Sequence, residues 1–454
     1  TGFLGAHLLA ALLQAGAPKV ICLLRDGNGA RLLQILCDDF GYDWIQENTA
    51  KIEILRADIT LPNLGMAQAD YASLASRVEE VYHSAADVRH YAAEEKELLA
   101  VNLGGTKEMI AFAQKAGARL HHISTASVSG EYLLDLPESA AQFDENDLDI
   151  GQNWQDNGYV KSKFLAEQQV RQAVQNGLDA RIYRVGRLVG RASDGVFQKN
   201  PEQNAFFRLL QSIAVLGAMP DCLASVPVDL TPVDVCAREI VALREGGGRV
   251  WHLLGRLYPL ESAARAVCPQ LAVVPEKAFP GILAKGLETN GPEALSALVD
   301  LWNRACAGPA VRIQVSDVKT RRQLAALGIA RAPAEPSVLL RAFSQDRLRR
   351  KSRMISDWVA TIFTVILVAI GLFIIWSVKM RHLPLIHKLY LGIAVSFGVW
   401  LAALLCMKHT DPANTAMLWV WDSLTYIGVA FSPAFSLCIA LVFTKGWERM
   451  RPLG

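Results

Sequence analysis

The stretch TGFLGAHLLAALLQAG (residues 1–16) sets the reading of the whole chain. Gly2 and Gly5 stand three residues apart and run straight into an apolar segment that predicts a helix over 6–15. Bare backbone at a helix N-terminus lets a pyrophosphate come close, and the helix dipole favours its charge. Gly2, Phe3, Leu4 and Gly5 are therefore the expected cofactor-contacting loop. A turn of this kind usually follows a buried strand, and none precedes it here. We read the chain as opening inside its own motif, a fragment of a longer protein whose sheet lacks its first strand.

Outward from that loop, KVICLL (19–24), KIEILRAD (51–58), VEEVYHSA (78–85), RLHHIST (119–125) and ARIYRVG (180–186) read as strands. Helical stretches such as NLGGTKEMIAFAQKAG (102–117) lie between them and stop at glycine, as helix C-termini prefer. The alternation predicts an α/β fold, a doubly wound parallel Rossmann sheet, over residues 1–190. A last strand–helix unit, VPVDLTPVDVCAREIVALRE (226–245), returns to it through 226–256. Residues 191–225 and 257–340 are less regular and read as a smaller, α-rich substrate lobe.

The 454 residues carry a formal net charge of +2, which gives no reason to expect a nucleic-acid partner. Eight cysteines are scattered singly, without a Cys-x-x-Cys or a Cys/His cluster, so neither a metal site nor a disulfide framework is expected. The apolar residues are unevenly spread, and six of the ten tryptophans fall after residue 357.

At the end of the second expected strand the chain reads LLRDG (23–27). An acidic residue there would take the ribose 2′-hydroxyl of NAD, whereas an arginine accommodates the 2′-phosphate of NADP. Arg25 points to NADP(H), with Arg31 a second phosphate contact; Asp26 keeps NAD open.

Tyr159 and Lys163, in NGYVKSKFLAE (157–167), are four residues apart on an expected helix and so share a face. An ammonium near a phenol favours the phenolate and lets the tyrosine exchange a proton near neutral pH. Upstream, HISTASVSG (122–130) ends a strand with a hydroxyl, Thr125 or Ser124, able to bond a reacting oxygen.

Past a basic linker at 341–357, WVATIFTVILVAIGLFIIWSV (358–378) runs 21 residues without a charge. At 1.5 Å per residue it covers about 30 Å, the depth of a bilayer's hydrocarbon core. Further spans are expected near 389–407 and 423–443, making 358–450 a membrane region with lipid as its partner. Arg347 to Arg353 and the loops between the spans give each orientation six basic residues, so charge does not orient the segment. A front part that uses NADP(H) would need the cytoplasm, at a bacterial inner membrane. The tie places a junction near 340–356 between two pieces of separate origin.

In order, the glycine loop, Arg25, ADIT (57–60), HSAADV (83–88), VNLGGT (101–106), ISTASVSG, GYVKSK, YRVGRLVG (183–190) and VDLTPVDVCAREIV resemble the extended short-chain dehydrogenase/reductases. Within them, residues 1–345 look most like the thioester reductase domains of non-ribosomal peptide synthetases and carboxylic acid reductases. The resemblance implies a triad of Thr125, Tyr159 and Lys163. It places Asp58 and Ile59 beside the adenine, Ala85 along the cofactor, Asn102 behind Lys163, and Arg184 near the nicotinamide. It assigns no role to His83 or His90. It implies NADPH-dependent release of an acyl or peptidyl thioester, held on a phosphopantetheinyl carrier protein or as acyl-CoA, as an aldehyde and then possibly an alcohol. The alternatives are a dinucleotide-binding sensor joined to a membrane signalling part, or an inactive chimera. The tail, with Trp400, Tyr426, Gly428 and Pro433, resembles the first three helices of the seven-helix membrane region of bacterial histidine kinases, without the parts a kinase needs.

Overall fold

The computed structural model describes residues 2–88, 94–130, 132–133, 142–306, 311–331 and 334–343. All of them belong to the first of two compact units, Thr1–Leu348. The membrane spans expected within 358–450, and the resemblance that rested on them, lie outside the described residues. Among the described residues no helix is long and apolar enough to cross a bilayer.

Six parallel strands carry the main layer: β1 (Val20–Leu24), β2 (Ile52–Arg56), β3 (Glu80–His83), β4 (Arg119–Thr125), β5 (Ala180–Val185) and β6 (Val250–Leu253). They form two hydrogen-bonded pieces, a β1–β2 pair and a four-stranded sheet in the order β6-β5-β4-β3. The five expected strands are all present. β6, four residues long like β3, was not among the expected strands. β4 is buried along nearly its whole length, as a central parallel strand covered on both faces must be.

Helix α1 (Phe3–Gln14) holds the two pieces together. Every residue from Ala6 to Leu13 is buried, so the helix is apolar all round rather than amphipathic. Leu8, Ala11 and Leu12 pack on Ile123, Tyr183 and Val185 of the four-stranded sheet. Ala6, Leu9 and Leu13 pack on Leu24, Leu32 and Leu36, on the side of β1 and helix α2 (Gly29–Phe40). Helix α3 (Gly105–Ala116) covers β3 and β4 through Met109, Phe112 and Ala113. Helix α4 (Gly158–Gln175) lies on the same face of the sheet as α3.

The unit at 226–245 divides between the two cores. Its strand, Pro227–Pro232, pairs with Leu188–Val189 and Arg256–Pro259 in a separate three-stranded sheet, and Val228 and Leu230 enter the lobe core. Its helix α5 (Val233–Ala242) instead packs Cys236, Ala237 and Ile240 against the Rossmann core beside α1. The lobe core gathers Phe207, Leu210, Leu260, Phe279, Leu295 and Phe343, so it reaches beyond the expected boundary at 340. Helix α6 (Val318–Ala326) lies within the stretch assigned to the lobe, yet it packs Leu324 against the Rossmann core next to β6.

Candidate active site

Asn157 fixes where α4 begins. Its side-chain oxygen accepts from the Val160 amide at 3.1 Å, an N-cap that stabilises a helix by about 1 kcal/mol. With the start set, Tyr159, Lys163 and Glu167 recur at i, i+4 and i+8 on the face that α4 buries against the sheet. β4 ends beneath them at Thr125, whose hydroxyl hydrogen-bonds the Tyr159 phenol. The Lys163 ammonium donates to the Ile123 carbonyl at 2.6 Å, clamping α4 onto β4 two residues before Thr125. The three triad residues implied by the sequence therefore meet at one strand end.

The electrostatics differ from the expectation. Burial pushes the Tyr159 phenol up to about 12, and the Thr125 hydrogen bond only partly offsets it. Burial pushes Lys163 down to about 8, against the pull of the Glu167 carboxylate. The phenol is thus not acidified by its neighbouring ammonium. Burial is the larger cause, and the Lys163 ammonium donates to a backbone carbonyl instead. Tyr159 keeps its proton at neutral pH, the state a proton donor needs.

Between Thr125 and Ser124 the structure chooses by partner. Ser124 donates to Glu167 at 2.9 Å and is committed there. Asn102, in a π-helical turn (Leu99–Gly104), reaches Ser162 Oγ at 2.9 Å and brackets the Asp87 backbone with bonds of 2.8 and 2.9 Å. It braces α4 one residue before Lys163 and does not contact the lysine.

Arg184 requires a correction. It is fully buried, and its five N–H groups all have protein partners. Nε and Nη2 go to Glu167, the latter at 2.6 Å. Nη1 serves His252 at 2.8 Å and the Asp144 carbonyl at 3.3 Å, and Nη2 also reaches the Asp147 carbonyl. No donor is left for a nicotinamide. Because Arg184 donates to His252 Nε2, the histidine carries its proton on Nδ1 and gives it to the Ser316 carbonyl at 2.6 Å. Burial, reinforced by Arg184, lowers His252 to about 4, so it is neutral.

Gly2, Gly5, Arg25, Arg31, Asp58 and Ala85 lie towards the edge where the parallel strands end, the usual ligand crevice of such sheets, whereas the Phe3 ring packs on Phe197 and Leu4 on the Rossmann core. The first turn of α1 has no side-chain cap and no acidic residue, and a Cβ on Gly2 would meet nothing within 4 Å. Both features fit a pyrophosphate. Gly5 faces the segment after β3, where its Cβ would lie 3.4 Å from Ser84 Oγ, next to Ala85. Arg25 and Arg31 are exposed beyond β1, and Arg56 joins them from the end of β2, where its stem packs against Gly27. Asp26 accepts from the Asn28 amide at 3.0 Å and so closes the local turn. Asp58 accepts from the Thr60 amide and hydroxyl at 2.9 and 2.7 Å, and these bonds, with Arg25 nearby, hold its carboxyl below the usual range. Its own amide bonds the Leu64 carbonyl at 2.9 Å. Asn63 and Leu64 both take left-handed backbone there, a strained turn that the sequence did not disclose. Ile59 packs so closely on Gly105 that a Cβ there would lie 2.5 Å from it.

His83 and His122 form a buried pair beside this site, their rings 5.5 Å apart. His83 bonds Thr106 Oγ1 at 3.1 Å, but neither ring nitrogen of His122 has a partner among the described residues. Burial lowers both, and the Lys163 charge lowers them further. A buried polar group without a partner costs about 1–3 kcal/mol. His122→Phe is therefore expected to raise the unfolding free energy by about that amount in urea titration. A loss of stability would mean that an ordered water serves the ring.

Residues 1–240 match the NAD-binding family model described as "Male sterility protein". A linear gramicidin synthase of Brevibacillus parabrevis is 34% identical over 253 residues, covering 54% of this chain and 5% of that protein. Glycine betaine reductase ATRR of Emericella nidulans is 32% identical over 264 residues, covering 54% of this chain and 19% of that protein. The chain thus matches only a small part of either relative. A thiolation-reductase di-domain from an archaeal non-ribosomal peptide synthetase superposes with a TM-score of 0.65 at 30% identity, over 78% of this chain and 74% of that one.

Proposed function

We propose the following function for this chain, which belongs to the NAD-binding male sterility protein family: NADPH-dependent reduction of an acyl or peptidyl thioester, carried on a phosphopantetheinyl arm or coenzyme A, to an aldehyde. A second reduction would give the alcohol. The convergence of Thr125, Tyr159 and Lys163 at the end of β4 carries this reading. It is supported by the uncapped glycine turn of α1 along the same strand-end edge.

NADPH supplies the hydride that the thioester carbonyl accepts. Thr125 hydrogen-bonds the carbonyl oxygen as negative charge grows on it. Tyr159, still protonated, gives that oxygen its proton. Lys163 offsets the phenolate left on Tyr159, and its charge is oriented by the Ile123 carbonyl. The thiohemiacetal then collapses: its hydroxyl proton returns to the Tyr159 phenolate as the carbonyl re-forms, the C–S bond breaks, and the departing sulfur takes a proton from solvent. The expected result is NADPH oxidation matched by one free thiol and one trapped aldehyde per turnover with an acyl-pantetheine thioester. Oxidation without thiol release would exclude thioester cleavage.

Two further outcomes follow from the same residues. Arg25, with Arg31, would take the 2′-phosphate of NADP(H); their exposure beyond β1 and the engagement of Asp26 by the Asn28 amide support this choice. Arg25→Ser should raise KM for NADPH by about 10- to 100-fold, the worth of a charge-assisted contact, and leave NADH unaffected. Equal losses with both cofactors would remove Arg25 from that role. Lys163 is charged below about pH 8, so kcat/KM should decline as pH rises through that value. Tyr159 titrates far higher and does not set this limb. A profile flat to pH 9.5 would contradict it.

A further inference from the structure

The catalytic helix carries a third buried ionisable group that the reaction above leaves unused. Glu167 lies one turn past Lys163, fully buried, on the face shared with Tyr159. Its carboxylate gathers Ser124 Oγ at 2.9 Å, Arg184 at 2.6 Å and Arg171 Nε at 3.2 Å. Burial works against this carboxylate, but Arg184, Arg171 and Ser124 outweigh it and hold its pKa below the usual range. It is thus an anion set among three cations, counting Lys163. The groups facing Lys163 are Tyr159 and Glu167 on α4, His83 on β3 and His122 on β4. Both histidines are neutral, so Glu167 is the negative charge among them.

We propose that Glu167 is a positioning residue for the reducing site: it keeps Lys163 charged inside the protein, and through Ser124 it ties α4 to the strand end that carries Thr125. The proposal rests on the reductase reading of that site. The tether is short, because Ser124 neighbours Thr125 while Lys163 binds Ile123 on the other side. Two consecutive residues of β4 are thereby pinned to successive turns of one helix, which fixes Thr125 against Tyr159. Arg184 anchors the far side of Glu167. Its remaining donors reach His252 and the carbonyls of Asp144 and Asp147, so β5, β6 and the 144–147 segment all brace the carboxylate. A second chain of bonds continues outward: the His252 amide donates to Thr320 Oγ1 at 2.8 Å, and Thr320 donates to Glu145 at 2.9 Å. Helix α6 therefore buttresses the catalytic helix from outside it.

A carboxylate kept only to pair with Arg184 would affect folding and nothing else. Three variants of the full chain separate the two roles: Glu167→Gln, the neutralised double Glu167→Gln/Arg184→Met, and Ser124→Ala. Lys163 is followed by the NMR titration of its labelled side-chain nitrogen, and catalysis by the pH profile with NADPH and an acyl-pantetheine thioester. In Glu167→Gln the Lys163 titration and the alkaline limb should both move down by about one pH unit, about fivefold in activity at pH 8; the double variant removes an anion and a cation together, so both should move less. Ser124→Ala should lower kcat several-fold, with KM for NADPH and the limb unmoved. A folded Glu167→Gln protein with the wild-type titration and limb overturns the proposal. Should Glu167→Gln not fold, an unchanged kcat in Ser124→Ala overturns it. A wild-type protein that does not reduce the thioester refutes the reductase reading instead, and the Lys163 titration still decides the role of Glu167.

Discussion

Tyr159→Phe should lower thioester reduction by about 10²- to 10⁴-fold, the usual worth of a positioned proton donor, while NADPH binding stays nearly intact. The hydroxyl lost is the one bonded to Thr125, at the point where the carbonyl oxygen must be protonated. The ring that remains keeps its packing at the start of α4, so the change is confined to one proton. Single-turnover reduction and fluorescence titration of NADPH measure the two quantities separately. Turnover within threefold of wild type would remove Tyr159 from the chemistry. An equal loss of cofactor binding would make the residue structural.

Arg184→Met should destabilise the protein by about 3–5 kcal/mol, because it strips the Glu167 carboxylate of its main buried partner. Burying one charge alone costs far more than replacing a pair with apolar groups. The double variant Glu167→Gln/Arg184→Met should accordingly recover much of the loss. Urea denaturation of the two proteins gives the comparison. A single variant within 1 kcal/mol of wild type would mean that Arg171, half-buried and 3.2 Å from the same carboxylate, suffices as its counter-ion.

How much of this was legible follows from the range of each interaction. The spacing of Tyr159 and Lys163 gives a shared helix face, because side-chain direction repeats with the helical turn, and α4 bears that out. The five expected strands were readable from apolar runs that alternate with helical stretches. β6 was not, although it is as long as β3. The strand at Pro227–Pro232 was foreseen as an element but not as part of the lobe sheet. Its partners are Leu188–Val189 and Arg256–Pro259, and pairing between distant segments leaves no local trace.

Residue order alone was enough for the α/β class, the glycine turn at the head of α1 and the three residues that meet at the end of β4. These depend on periodicity and on the succession of motifs, which are local properties of the chain. It took the folded arrangement to assign Arg184 to Glu167 rather than to the cofactor, to commit Ser124 to Glu167 while Thr125 meets Tyr159, and to hold Tyr159 protonated. Each of those outcomes turns on burial and on the fourth or fifth partner of a polar group. Such partners come from β5, β6 and the 144–147 segment, many residues away, and desolvation reverses the sign that a pairwise attraction within one helix would give.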